Sequence, residues 1–280
     1  MNGGLMSRTA LIALALAFSA CSGTAEVEAP TTPPVDVPEV VEPVVADGDA
    51  EAAPAALVPS PSETQRAVEA AGIEVALATL ISHPTLAIAS DSEDQVAVST
   101  GVVVADLLLT AKASTNEQLI TQIDAIALGM KTLDAGSDID SVLMDLKTRI
   151  ASDSMTRGEL VSELELLSGA IIPELEFNGR ARIVPLIQAG SWLEATNLLA
   201  RALKGTGQAG AADALLKQPE VVEYFQKYAM EHGVDVAAPV TETLVKALET
   251  LGEVAHKDGS ITDEDLEHVI ESTQAVLSLL

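Results

Sequence analysis

The sequence predicts an all-α protein, a bundle of about nine or ten helices carried on a disordered N-terminal tether. Three observations predict it. Hydrophobic residues make up 48% of the chain but aromatics only 2%, so Ala, Leu, Val and Ile fill the core, which suits helices packed on helices. Eight of the 13 prolines fall within residues 22–61, which keeps most of the breakers out of the remaining chain. Helix-start signatures then recur along residues 62–280: Ser62-x-x-Gln65, Thr115-x-x-Gln118 and Thr156-x-x-Glu159 have the form of capping boxes, and Thr262-x-x-Asp265 comes close.

Taken in order, the chain begins with Arg8, the only charge before residue 26, and the apolar run Ala10 to Phe18. A spanning helix needs about 20 apolar residues, so this run is too short to span. A basic n-region, a short apolar h-region and small residues after it form a secretory signal over residues 1–20. The signal ends Phe18-Ser19-Ala20-Cys21. That ending resembles the lipobox of bacterial lipoproteins, with Phe18 where Leu is commoner. The resemblance implies that Cys21 receives a diacylglycerol thioether, becomes the new N-terminus and is acylated there. Ser22 comes next, where Asp often retains such proteins at the inner membrane, so the resemblance points to the outer membrane. Cys21 is the one cysteine in 280 residues. An exported chain with no pair to oxidise has no disulfide framework. The plainer alternative is an ordinary signal with an incidental cysteine. Each buried methylene contributes about 0.8 kcal/mol, so two or three acyl chains would hold the protein to the bilayer without spanning it.

Residues 21–61 then read as a lipidated cysteine and an acidic spacer. Residues 22–61 carry eight acidic residues and no Lys or Arg. Proline and like charge keep such a segment extended, reaching at most about 120 Å at about 3.1 Å per residue. Without residues 1–20 the chain has 14 Lys and Arg against 42 Asp and Glu, a formal charge of −28. Nucleic acid is excluded as a partner by that balance, and so is adsorption to anionic headgroups. The charge otherwise serves solubility.

Residues 62–280 are long enough to bury a sizeable core. Spacing predicts helices over 63–82, 93–113, 116–133, 139–152, 157–172, 181–204, 208–217, 219–231, 239–257 and 263–279. Val96–Val104 is β-branched enough for a strand, but the run on to Lys112 favours a buried helix. Asp138 is placed as a cap and Pro219 in a first turn, and the helix over 157–172 stops short of Pro173. Two stretches, Gly101-Val102 through Ala105-Asp106 and Leu186 through Glu194, resemble a group of exported bacterial lipoproteins of unknown function over about residues 95–205. The group has G-V-Y-x-x-D and an A-G-G-W-x-E-like stretch. Here Val103 replaces the aromatic residue and Ser191 the second glycine. The resemblance implies a helical exported domain and brings no chemistry with it.

Four residues stand out as a possible polar site. Gly190, Glu194, Asn197 and Arg201 share one face of an otherwise apolar helix. Asp106 lies in another apolar helix, and a buried carboxylate needs a partner; Arg180, Arg182 and Arg201 are the candidates. The structural reading is a polar knot between core helices. The functional one is a small polar pocket at Asp106, Glu194, Asn197 and Arg201.

Metal ligands could come from Glu253-x-x-His256 and Asp265-x-x-His268-x-x-Glu271, whose spacings occur in diiron bundles. Helical phase turns Glu253, His256 and His268 away from their buried faces, so no metal and no cofactor is expected. Asp258–Asp265 resembles half of an EF-hand loop, but Val254 and His256 would take its first two ligand positions, and neither offers a hard oxygen. No nucleophile elbow, P-loop or zinc-protease signature occurs. Tyr224, Phe225 and Tyr228 suit a core, or an exposed groove for a protein. The chain therefore reads as a non-catalytic interaction or scaffold lipoprotein facing the periplasm, with an envelope protein as its partner. A small-ligand binding protein using Asp106 and Glu194 is the alternative.

Overall fold

Two helices in this chain have almost no polar face, and they can be satisfied only at the centre of the structure. The computed structural model describes residues 58–71, 79–80, 88 and 90–280. These form α1 (Pro61–Ala70), α2 (Glu93–Thr110), α3 (Asn116–Thr132), α4 (Ser137–Ala151), α5 (Arg157–Phe177), α6 (Val184–Thr206), α7 (Ala212–Leu216), α8 (Pro219–His232), α9 (Ala238–Ala255) and α10 (Asp263–Leu277), with no strand among the described residues. The signal, Cys21, the spacer up to residue 57 and His83 lie outside them, as do residues 72–78 and 81–82 of the helix expected over 63–82. Among the described residues no helix is long and apolar enough to cross a membrane.

The β-branched run is indeed helical. Within α2 every residue from Val96 to Thr110 is buried, as is every residue of α6 from Gly190 to Ala200. The two run parallel, since Asp94 meets Arg182, Gly101 meets Ser191 and Asp106 meets Glu194 in the same order along both. Two glycines set the crossing. A Cβ on Gly101 would lie 2.0 Å from the Ile187 carbonyl oxygen, and one on Gly190 would lie 2.0 Å from that of Val98. The backbones therefore touch, and Ser191 Oγ donates to the Gly101 carbonyl at 2.8 Å. The two stretches that carry the family resemblance thus pack directly on each other.

Around this pair the core forms two clusters. One joins α2 to α3, α4, α5 and the start of α6 through residues such as Leu107, Leu119, Leu143 and Leu164. The other joins the rest of α6 to α8, α9 and α10 through Leu198, Phe225, Leu251 and Leu266. Val58 belongs to the second cluster, so the helical unit begins a few residues before 62.

Helix starts obey their caps. Thr115 and Thr156 form complete capping boxes with Gln118 and Glu159. Thr262 does so with Asp265, whose short side chain still reaches back to the Thr262 backbone N–H at 2.7 Å. Pro219 opens α8.

Several predicted boundaries are corrected. The cap of α1 is Ser60, boxed with Glu63, and Ser62 is buried in the first turn instead; Pro61 fits N1, which moves the start two residues earlier. Asp138 does not cap α4; Gly136 precedes the helix at φ 99, with no side-chain cap bond, and Asp138 adds charge to the first turn. Pro173 does not end α5, which runs on to Phe177. Proline removes one N–H and crowds the carbonyl four residues back. That carbonyl belongs to Gly169, exposed like Pro173, and fully buried Leu175 holds the last turn to the core. The predicted helix over 208–217 is a 3-10 turn, Ala209–Ala211, leading into the short α7, because Gly207 ends α6 in the left-handed region.

Candidate functional site

The carboxyls of Asp106 and Glu194 meet at the α2–α6 contact. Asp106 is 5% exposed and Glu194 1%. Their side chains hydrogen-bond to each other, and Arg201, two turns along from Glu194, acts on Glu194 through its charge. Two buried carboxyls can bond only while one holds a proton. Burial is the main effect on Glu194 and pushes its pKa up to about 7, even though the Asp106 bond and the Arg201 charge pull it down. The site is therefore a proton-holding pair.

The other expected member goes elsewhere. Asn197 is buried, but its Nδ2 donates to Thr273 Oγ1 of α10 at 2.9 Å. It ties α6 to α10 and does not join the carboxyls. Arg180 and Arg182, two of the candidates for Asp106, are also engaged elsewhere. Arg180 pairs with Glu93, and Arg182 pairs with Glu93 at 2.8 Å and with Asp94 at 2.6 Å. Asp94 is 1% exposed and also accepts from the Asp235 backbone N–H at 2.7 Å. Sequence reasoning missed this ion-pair knot at the start of α2. Its signal is the Glu93-Asp94 doublet in the first helical turn.

Two residues of the motifs with metal-ligand spacing, His256 and Asp265, are engaged by protein groups. Glu253, His256, His268 and Glu271 are all exposed. His256 Nε2 lies 3.1 Å from a Glu223 oxygen and Nδ1 lies 2.9 Å from the Gly252 carbonyl; these contacts raise its pKa. Burial raises the pKa of Asp265, but bonds from Lys257 and from both the hydroxyl and the backbone of Thr262 outweigh it and hold the carboxyl down at about 2. Among the described residues no group of three or more His, Cys, Asp or Glu is placed to hold a metal ion.

Several hollows lie among the described residues. A cavity of about 30 Å³ lies between α6, α8, α9 and α10, lined by Trp192, Phe225, Tyr228 and aliphatic residues. It has room for about two waters, but its lining is apolar. The Trp192 indole N–H is turned to Gln218 at 2.8 Å and the Tyr228 hydroxyl to the Arg182 carbonyl at 2.9 Å. A cleft of about 530 Å³ lies between the start of α1 and α5, floored by Ser62, Gln188 and Ser191. Neither of these two is lined by Asp106 or Glu194.

Tyr224, Phe225 and Tyr228 divide between core and surface, and the two tyrosines line a hollow of about 440 Å³ together with Arg182, Lys227 and His232. Phe225 is buried, 5.3 Å centroid to centroid from Trp192, and both tyrosines are half-buried. Exposed large apolar side chains occur on several helices, Met230 of α8 among them at 79%, but α5 carries two of the three most exposed among the described residues, Phe177 at 86% and Leu166 at 73%. The chain matches no protein-family model, no curated protein and no solved structure.

Proposed function

We propose that this chain is a lipid-anchored helical lipoprotein, held at the outer membrane through acylated Cys21 and facing the periplasm, which acts as a non-catalytic interaction or scaffold module of the cell envelope. The address rests on Phe18–Cys21. The interaction reading rests on one observation, the exposure of Phe177 and Leu166. Large apolar residues left in water on a chain this poor in aromatics mark a contact surface. The buried carboxyls of Asp106 and Glu194 are bonded to each other and line neither the apolar cavity nor the cleft beside α1 and α5.

A photo-crosslinking residue placed at position 177 in cells tests this reading. A discrete protein adduct, absent when the same residue is placed at exposed Glu253 of α9, supports it. No adduct at position 177 would overturn it. The second reading is a small-ligand binding protein, favoured by the perturbed carboxyl pair, since such groups gather at functional sites. Its difficulty is access, because both carboxyls are closed off.

A further inference from the structure

We propose that the α5 face binds a basic amphipathic segment of a partner protein, an apolar face bordered by Lys or Arg. This inference rests on the interaction reading above and names the partner's chemistry.

The face is a continuous stripe. Leu166, Ala170, Pro173 and Phe177 are all exposed, and at 100° per residue they fall within about 60° of arc. From Leu166 to Phe177 the stripe is about 16 Å long, at 1.5 Å per residue. Gly169 lies at its edge, also exposed, with open space where a side chain would be. Pro173 has no N–H to give the Gly169 carbonyl. The stripe therefore offers a partner apolar carbon and a bare backbone acceptor together.

Its borders fix the sign of the partner's charge. Glu165 and Glu176 flank one side, and Glu163 and Glu174 the other. Glu163 and Glu165 have cations of their own, Arg149 at 3.1 Å and Arg66 at 3.3 Å. Glu174 and Glu176 have no ion pair among the described residues; the Glu174 carboxylate accepts from Asn178 at 2.9 Å. Both lie in the last turn of α5, which carries no basic residue. Carboxylates there oppose the negative end of the helix dipole, where cations are favoured. A partner's Lys or Arg beside Phe177 would relieve that repulsion. A second copy is a poor occupant, since α5 against α5 brings glutamates onto glutamates. An anionic bilayer is repelled for the same reason.

The test uses the full chain and a labelled Leu/Lys peptide patterned as an amphipathic helix, with a Leu/Glu peptide of the same pattern as control. A basic peptide will associate loosely with any chain of net charge −27, so the deciding variant leaves the charge unchanged. Phe177→Ser should weaken Leu/Lys binding about ten-fold or more, as removal of an interface aromatic does. Because Phe177 is exposed, this variant keeps its fold. Glu174→Gln with Glu176→Gln should weaken binding and flatten its salt dependence, and the Leu/Glu peptide should not bind. Unchanged affinity in Phe177→Ser overturns the proposal. So does a dimer that Phe177→Ser converts to monomer, or binding of this face to phosphatidylglycerol vesicles. Crosslinking at position 177 separates the two claims. An adduct on an acidic or neutral segment defeats the basic-partner proposal and leaves the interaction reading standing. No adduct at all defeats the interaction reading.

Discussion

Replacing the buried carboxyl pair with amides, Asp106→Asn together with Glu194→Gln, should remove a pH dependence from folding stability. In the folded chain burial moves Glu194 from 4.5 up to about 7. At about 1.4 kcal/mol per pH unit this corresponds to about 3 kcal/mol of folding free energy. The sign is set by where the proton is held. Below pH 4.5 the carboxyl is protonated in both the folded and the unfolded chain, and its contribution is complete. Between 4.5 and 7 the unfolded chain releases a proton that the folded chain keeps, so stability falls as pH rises. Above about 7 the loss is complete. The amides are isosteric with the protonated acids and can bond to each other, but neither titrates. Either single variant would leave one carboxyl titrating, and a coupled pair is best emptied together. The assay is urea unfolding monitored by the fluorescence of Trp192, the one tryptophan in the chain and 5% exposed, at steps from pH 4.5 to 8.5. Relative to the double variant, the wild type should lose about 3 kcal/mol across that range. Curves that stay parallel would refute the proton-holding pair and the burial argument behind it.

Gly101→Ala or Gly190→Ala drives a methyl into a backbone carbonyl of the facing helix, which no rotamer can relieve. Each should cost about 3 kcal/mol in chemical denaturation, whereas Gly158→Ala, with nothing within 4 Å, should change stability little. Asp265→Ala removes the reciprocal cap of α10 and should cost about 1 kcal/mol. With a folded pKa of about 2, the Asp265 contribution is present above the ordinary Asp value near 3.8 and is lost as pH falls through 2, so wild type and variant should converge in acid unfolding. Cys21→Ser should leave the protein uncleaved or move it to the soluble fraction; a processed, membrane-bound variant would defeat the lipid anchor.

What the sequence determined by itself was largely local. Helical phase turned His256 and His268 outward correctly, because each depends on its own helix alone. Thr115 and Thr156 marked their helix starts because a capping box closes within four residues. The apolar girth of α2 and α6 placed them at the centre, since no other position would hide it. Gly190 was legible on the same face as Glu194, although the backbone it meets was not. Tertiary structure decided the partners. Arg180, Arg182 and Arg201 were equivalent candidates for Asp106 until the parallel packing of α2 and α6 carried the first two to Glu93 and Asp94 and left Arg201 near Glu194. Asn197 shares a face with Glu194, yet the approach of α10 drew it to Thr273. The exposed stripe on α5 was hidden for a related reason. Proline is locally a helix breaker, and the helix expected over 157–172 stopped short of Pro173, so Phe177 had no phase. Leu175 lies beyond that proline and is buried in the cluster that α5 shares with α2, α3 and α4. Those helices lie outside α5, so no rule local to it could count their contribution. Their packing carries α5 through Pro173 and leaves Phe177 in water.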